Sequence, residues 1–364
     1  MSARVIVAMS GGVDSSVAAA MLCEQGYDVV GIAMRLASEP ATHIAKRRGT
    51  CCSHDDFEDA RRVAERMDFP FYVIDLRADF NARVIDNFVS EYLGGRTPNP
   101  CVMCNREIKF DRLWSRARAL DADYIATGHY ARIHRDDRGT FHLLRAADDA
   151  KDQSYFLFSL GQAELSRTIF PLGNMTKAEV RARARELGLA TADKPESQEI
   201  CFVPDGDYAR FVERNSAPAA IRTGRIVDAE GRALASHDGL HRFTVGQRRG
   251  LGIATGDRLY VREIRAESGE VVVGRRGELD SAGLIASRVS MVDESIASRG
   301  ETMVEVKIRY RHAAIPASFN LEADGRAEVR FIDGGPAVTP GQACVFYRGD
   351  EVLGGGFIER ALEA

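Results

Sequence analysis

The apolar positions in the first half of the chain follow two alternating rhythms. Residues 4–9 read as a strand, with a short continuous apolar run from Val5 to Met9, as a strand buried on both faces requires. After Ser10, Gly11 and Gly12, the positions Val17, Ala20, Met21 and Leu22 recur at helical spacing, predicting a helix over 13–25 that Gly26 ends. The same reading predicts strands over 28–34, 71–75 and 123–127, and helices over 55–67, 79–93 and 106–120. Strands alternating with helices of ten or more residues predict an α/β domain: a doubly wound parallel sheet with right-handed crossovers.

The rhythm changes after about residue 195. From residue 221 onward, short alternating stretches (258–264, 271–274, 301–310, 327–332 and 343–347) are separated by Gly, Asp and Asn. This predicts a small β-rich middle module and then a C-terminal β-barrel. The boundaries expected are 1–200, 201–280 and 281–364. Residues 38–50, with Lys46, Arg47 and Arg48, are read as a mobile loop.

Composition narrows the class. The chain has 364 residues, 45% hydrophobic and 28% charged, with a net charge of −4. A nucleic-acid site would therefore be a local basic surface on a mildly acidic protein. The N-terminal apolar run is too short for a secretory core, and no run is long enough to span a membrane. The expectation is a soluble, cytoplasmic protein with no membrane partner, and a monomer. The seven cysteines, an odd number without a secretion signal, argue against a disulfide framework. Cys23 and Cys344 sit in apolar runs and are read as core.

The string Ser10-Gly11-Gly12-Val13-Asp14-Ser15-Ser16 lies between a strand and a helix. Two glycines let the backbone approach an anion, and the N–H groups of the new helix, with the serine hydroxyls, can cradle a phosphate. The lysine of the common triphosphatase loop is missing. Asp14 would repel phosphate unless it held a cation, which implies Mg²⁺.

Three strings carry the candidate chemistry. The first runs Thr97-Pro98-Asn99-Pro100-Cys101-Val102-Met103-Cys104-Asn105-Arg106; its prolines force an extended approach, and Cys104 is expected to open a helix, where a thiol gains thiolate character. The second comprises Thr127-Gly128-His129-Tyr130 and Lys151-Asp152-Gln153-Ser154. The third is Ser197-Gln198-Glu199-Ile200-Cys201-Phe202. A lone CxxC is compatible with zinc, redox or Fe–S roles.

SGGVDSS resembles the signature of the N-type ATP pyrophosphatases, whose adenine nucleotide alpha hydrolase-like fold adenylates an acceptor oxygen. Together with Gly246-Gln247-Arg248-Arg249-Gly250-Leu251-Gly252, Arg309-Tyr310 and Gly341-Gln342, the strings resemble the bacterial and organellar tRNA 2-thiouridylases over nearly the whole chain. The resemblance implies an ATP site at Ala8, Met9, Ser10, Gly11, Gly12, Val13, Asp14, Ser15, Met34 and Gly128. It implies that Asn99, Pro100 and Cys101 meet the target base, and that His129, Lys151, Asp152, Gln153, Arg309, Tyr310 and Gln342 meet tRNA. Cys104 matches the nucleophile and Cys201 the persulfide carrier, charged by an upstream sulfur-relay or cysteine desulfurase protein, with a transient Cys104–Cys201 disulfide.

The implied reaction is 2-thiolation of the wobble uridine with release of AMP and pyrophosphate. The sequence departs from a common form of the family in having Cys101 where many members have Asp, and a thiol serves less readily as a general acid or base. Three thiolates at 101, 104 and 201 could instead hold a [4Fe–4S] cluster carrying the sulfur; the residues leave the two mechanisms open. Arg248, Arg249, Arg275, Arg276, Arg309 and Arg311 are candidate phosphate contacts, with Arg309-Tyr310 favoured because a cation stands beside a stacking face. Another ATP pyrophosphatase would not need the cysteine strings, and a noncatalytic metal-bearing RNA module would not need SGGVDSS.

Overall fold

The computed structural model describes residues 2–36, 54–195, 200–253 and 257–363, without the side chains of 297–299. The region read as a mobile loop, 38–50, lies outside them. The chain forms two compact units: 1–84 with 101–206 and 350–352, and 85–100 with 207–349 and 353–364.

The first unit is built on a parallel sheet. Strand β1 (Arg4–Ala8) is followed by helix α1 (Val13–Glu24), β2 (Asp28–Arg35), helix α2 (His54–Arg66), β3 (Phe71–Asp75) and β4 (Tyr124–Thr127). The sheet order is β3-β2-β1-β4 with a short fifth strand, β7 (Thr168–Ile169), at the edge, and every pairing is parallel. Val5, Ile6 and Val7 of β1 are fully buried, as the central strand of a doubly wound sheet demands. Val5 and Val7 pack with α1, and Ile6 packs with Leu113 and Ala117. A hairpin of β5 (Arg132–Arg135) and β6 (Phe141–Leu144) is extended by Glu351 and Val352.

Two helical readings need correction. Residues 79–93 are not one continuous helix: Arg77–Phe80 and Asp86–Leu93 flank a π-helical stretch, Asn81–Ile85. The helix expected over 106–120 starts earlier, as Pro100–Cys104, passes through π-helical Asn105–Phe110 and resumes as Asp111–Ala119. Pro100 explains the early start. Its fixed φ suits the first helical position, where its missing N–H costs nothing.

The second unit contains two β modules. A four-stranded sheet has the order β10-β11-β8-β9, with β8 at Gly224–Val227, β9 at Ala233–His237, β10 at Tyr260–Arg265 and β11 at Glu270–Gly274. Its core is Ile226, Val261, Val271 and Val273, with Leu240 and Phe243. The strands β12 (Ser281–Met291), β13 (Thr302–Lys307), β14 (Ile315–Leu321), β15 (Ala327–Gly335), β16 (Ala343–Arg348) and β17 (Glu351–Leu362) run in the order β12-β15-β14-β13-β16-β17, and β12 pairs back onto β17. This closes a six-stranded barrel around Val306, Phe319, Val329 and Phe346. Among the described residues, no helix is long and apolar enough to cross a membrane.

Candidate functional site

The loop after β1 is shaped by contacts that only glycine permits. Gly11 has φ +69°, and a Cβ there would lie 2.1 Å from the Asp56 carbonyl oxygen. Gly12 precedes α1 and has no side chain to cap it, which suits the start of the helix to an outside acceptor. Ser15 Oγ accepts from Ser10 N at 3.2 Å, and Ser16 Oγ donates to Gly12 O at 2.8 Å, which fixes the turn. Gly128, just after β4, closes the other side: a Cβ there would lie 2.7 Å from Ser15 N. Ala8 and Thr127 are register partners on neighbouring parallel strands. Met34, 7% exposed, stands near the carboxyl end of β2. The residues expected around ATP therefore gather at the carboxyl edge of the sheet, where such folds bind nucleotides.

The cations at this edge were not anticipated. Lys177 Nζ donates to both carboxylate oxygens of Asp14, at 2.7 and 2.8 Å, and Tyr130 Oη donates to Oδ1 at 2.7 Å. The negative charge that was expected to need Mg²⁺ is already compensated by a lysine. A metal on Asp14 would have to displace Lys177, so the observed carboxylate does not fit a metal ligand as it stands. Lys194 Nζ donates to Gly11 O at 2.9 Å and to Asp56 and Asp59 at 2.6 and 2.7 Å, tying the loop to α2. Burial lowers the Lys194 pKa, but the two carboxylates outweigh it and the net shift is upward.

A sequence signal for Lys177 existed. Thr176 and Glu179 form a capping box, with Thr176 Oγ1 accepting from Glu179 N, at the start of helix Lys177–Glu186. That pattern marks Lys177 as the first helical residue, though not the partner it reaches.

Cys101, Cys104 and Cys201 lie in the same unit as this loop, whereas Thr97 to Pro100 belong to the second unit and Ser197, Gln198 and Glu199 lie outside the described residues. Cys104 is 8% exposed, Cys101 is exposed and Cys201 is half-buried; no disulfide joins the described cysteines. Cys104 does not open its helix as expected; it ends the first short segment, directly before a π-helical stretch of the kind often found at functional sites. The next residue, Asn105, donates to Phe156 O at 3.1 Å, and its buried Oδ1 has no partner among the described residues.

Phe202, beside Cys201, packs edge-on against Phe80 with centroids 5.6 Å apart. The segment bearing Phe80 is bound to the helices after Cys104 by Arg112 to Asp79 at 2.7 Å and Arg83 to Glu107 at 2.9 Å. Phe202, the neighbour of Cys201, thus packs on a segment fastened to the helices after Cys104. Among the described residues, no three His, Cys, Asp or Glu side chains are gathered as a metal centre needs. Cys344 is fully buried and its thiol is pushed up to about 12 by burial; Cys23 is half-buried beside the α1 core, and burial raises it too.

Several residues matched to tRNA contact face inward. His129 is 9% exposed, bonded through Nδ1 to Thr127 Oγ1 at 2.7 Å and flanked by Phe110 and Phe170. Burial, with Lys109 adding to it, holds its pKa well below the ordinary value, so it is neutral at pH 7. Asp152 accepts from Ala146 N, Ser154 N and Ser154 Oγ at 3.1, 3.1 and 2.9 Å. Gln153 Oε1 accepts from Tyr130 N at 3.0 Å. Asp152→Ala should lower unfolding stability by about 2–4 kcal/mol, because two buried N–H groups lose their acceptor. A urea midpoint unchanged from the parent would show instead that this carboxylate carries no structural burden.

In the second unit Arg309 donates to Thr339 Oγ1 at 2.7 Å and faces the Val245 and Ala337 carbonyls, while Tyr310 is half-buried. Arg248, Arg249, Arg276 and Arg311 are exposed, and Arg275 pairs with Asp257 at 2.8 Å. Asn99 is half-buried and Pro100 buried.

A parallel sheet with SGGVDSS at its carboxyl edge and a thiol-bearing helix in the same unit defines an enzyme of the ATP pyrophosphatase class. Models of three domain families match in sequence: the tRNA methyl transferase HUP domain over residues 3–205, the tRNA methyl transferase PRC-barrel domain over 210–275 and the aminomethyltransferase β-barrel domain over 281–358. The chain is 54% identical to the tRNA-specific 2-thiouridylase MnmA of Geotalea uraniireducens, covering 99% of this chain and 96% of that one. It is 54% identical to the protein of the same name from Geobacter metallireducens, over 99% and 97%. For Carboxydothermus hydrogenoformans the identity is 50%, over 99% and 98%. The chain belongs to the MnmA family of tRNA-specific 2-thiouridylases, and it is a tRNA sulfurtransferase.

Proposed function

We propose that this enzyme converts the wobble uridine of tRNA to 2-thiouridine by adenylating uracil O2 and replacing it with sulfur from a Cys201 persulfide. The observation that carries this reading is the pairing, in one unit, of a glycine loop at a helix start with Cys104 and Cys201, where Phe202 beside Cys201 packs on a segment bonded to the helices after Cys104. ATP, with Mg²⁺ as its counter-ion, would place its phosphates against the N–H groups after Gly12. Uracil O2 attacks the α-phosphorus and pyrophosphate departs, which turns a poor leaving group into AMP.

The terminal sulfur of the Cys201 persulfide then bonds to C2, and AMP leaves. Cys104 thiolate attacks Cys201 Sγ and breaks the sulfur–sulfur bond. The transferred sulfur keeps the electron pair as the thiocarbonyl, and a Cys104–Cys201 disulfide remains for a dithiol reductant to reopen. A sulfur-relay or desulfurase partner recharges Cys201. The domain limits that accompany this reading are 1–200, 201–280 and 281–364.

The anticodon base must be splayed out to reach such a site, with Asn99, Pro100 and Cys101 facing it. Lys151, Arg309 and Tyr310 are the tRNA contacts this reading retains, because a cation and a ring suit a phosphate and a base. Single-turnover mass spectrometry of tRNA nucleosides tests the chemistry, using metal-free protein preloaded with persulfide at Cys201, ATP, Mg²⁺ and unmodified tRNA without oxygen. Stoichiometric 2-thiouridine is expected. Product formed only after iron–sulfur reconstitution with sulfide would replace the persulfide route by the cluster.

A further inference from the structure

The segment between helix Asp86–Leu93 and helix Pro100–Cys104 contains two prolines, so Pro98 and Pro100 offer no N–H for pairing. It must be held by its carbonyls and by the few donors left. Thr97 N donates to Pro340 O at 2.9 Å, and Thr97 Oγ1 donates to Thr244 Oγ1 at 3.1 Å. The two successive carbonyls, of Thr97 and Pro98, both accept from Gln342 Nε2, at 3.0 and 3.1 Å. An amide nitrogen has two hydrogens, and both are directed at this segment.

The mounting of Gln342 is itself fixed. Gly341 N donates to Ile358 O and Ile358 N donates to Gln342 O, each at 2.8 Å. Gly341 has φ +90°, and a Cβ there would lie 2.9 Å from Thr97 O and 3.0 Å from Thr97 N. Only glycine lets the two backbones approach so closely. On the other flank Gly95, φ +70°, would meet the Ile264 side chain at 2.6 Å with any Cβ.

We propose that Gly341 and Gln342 form a clamp on residues 97–98, which makes Gln342 a positioning residue for the base-facing Asn99 and Pro100. The proposal rests on the reading of Asn99, Pro100 and Cys101 as facing the target base. The clamp presents Asn99 in one conformation before tRNA arrives.

Gln342→Met keeps the side-chain length and removes both donors. Amide exchange of Thr97 and Asn99 in the tRNA-free protein should become about tenfold faster. Single-turnover thiolation at saturating tRNA should fall about tenfold or more, because small misplacements of reacting groups are costly. The tRNA Kd should stay within about twofold, as expected where substrate binding is not what is lost.

Unchanged exchange at Thr97 and Asn99 overturns the clamp. A Kd weakened tenfold with an unchanged saturated rate makes Gln342 an RNA contact and overturns the positioning role, as does faster exchange with an unchanged rate. Gly341→Ala should give the same pattern through steric displacement; if it does not fold, Gln342→Met decides. Failure of the parent protein to form 2-thiouridine under the same conditions refutes the underlying reading of the site and leaves the exchange result to judge the clamp.

Discussion

Cys201→Ala and Cys104→Ala should each lower 2-thiouridine formation by at least about 10³-fold, while tRNA binding stays within about threefold. The two losses differ in kind. Without Cys201 there is no carrier, so no radiolabelled sulfur should be retained on the protein after incubation with a sulfur donor. Without Cys104 the persulfide can form and bond to the activated base, but nothing opens the sulfur–sulfur bond. Adenylated or protein-linked tRNA should accumulate and be released by added dithiol. Each substitution removes a single sulfur atom, which is why binding should survive. Wild-type thiolation in either variant, or loss of tRNA binding in both, would remove that cysteine pair from the mechanism.

Lys177→Met is the second large effect. Lys177 Nζ sits against both oxygens of Asp14, and its side chain is only 12% exposed. Removing it leaves a half-buried carboxylate at the mouth of the phosphate loop with the Tyr130 hydroxyl but without its cation. The loss of charge-assisted hydrogen bonds, about 1.5–3 kcal/mol, corresponds to a rise of about 10- to 150-fold in the ATP KM. The tRNA Kd should not follow, and Asp14→Asn in the same background should restore part of the ATP affinity because it removes the uncompensated charge. An ATP KM unchanged in Lys177→Met would mean that the phosphates never approach this pair.

These two experiments probe different levels of legibility. The parallel sheet was readable because central strands buried on both faces must be continuously apolar, and Val5-Ile6-Val7 meets that condition without outside help. The loop was readable because Gly11 and Gly12 are local necessities of a tight turn. Cys104 ends a helical segment that the sequence pattern starts only at Cys104, because Pro100 occupies the first helical position, where a helix accepts a proline.

The inward-facing residues needed more. His129, Asp152 and Gln153 are polar and look like surface chemistry along the chain. What turns them inward is the packing of Phe110 and Phe170 on the imidazole and the backbone N–H groups of Ala146, Ser154 and Tyr130, which no local pattern announces.

By itself, then, the sequence determined what depends on neighbours within a few residues: strand and helix periodicity, the glycine turn after β1, and the thiols with their motif spacing. Tertiary structure decided what depends on residues far apart in the chain. Lys177 reaches Asp14 across 163 positions, Lys194 reaches Gly11 across 183, and Gln342 reaches Thr97 across 245. A hydrogen bond acts over about 3 Å of space and carries no memory of sequence separation, so only the closed fold could reveal which cation balances the loop and which amide holds the strap.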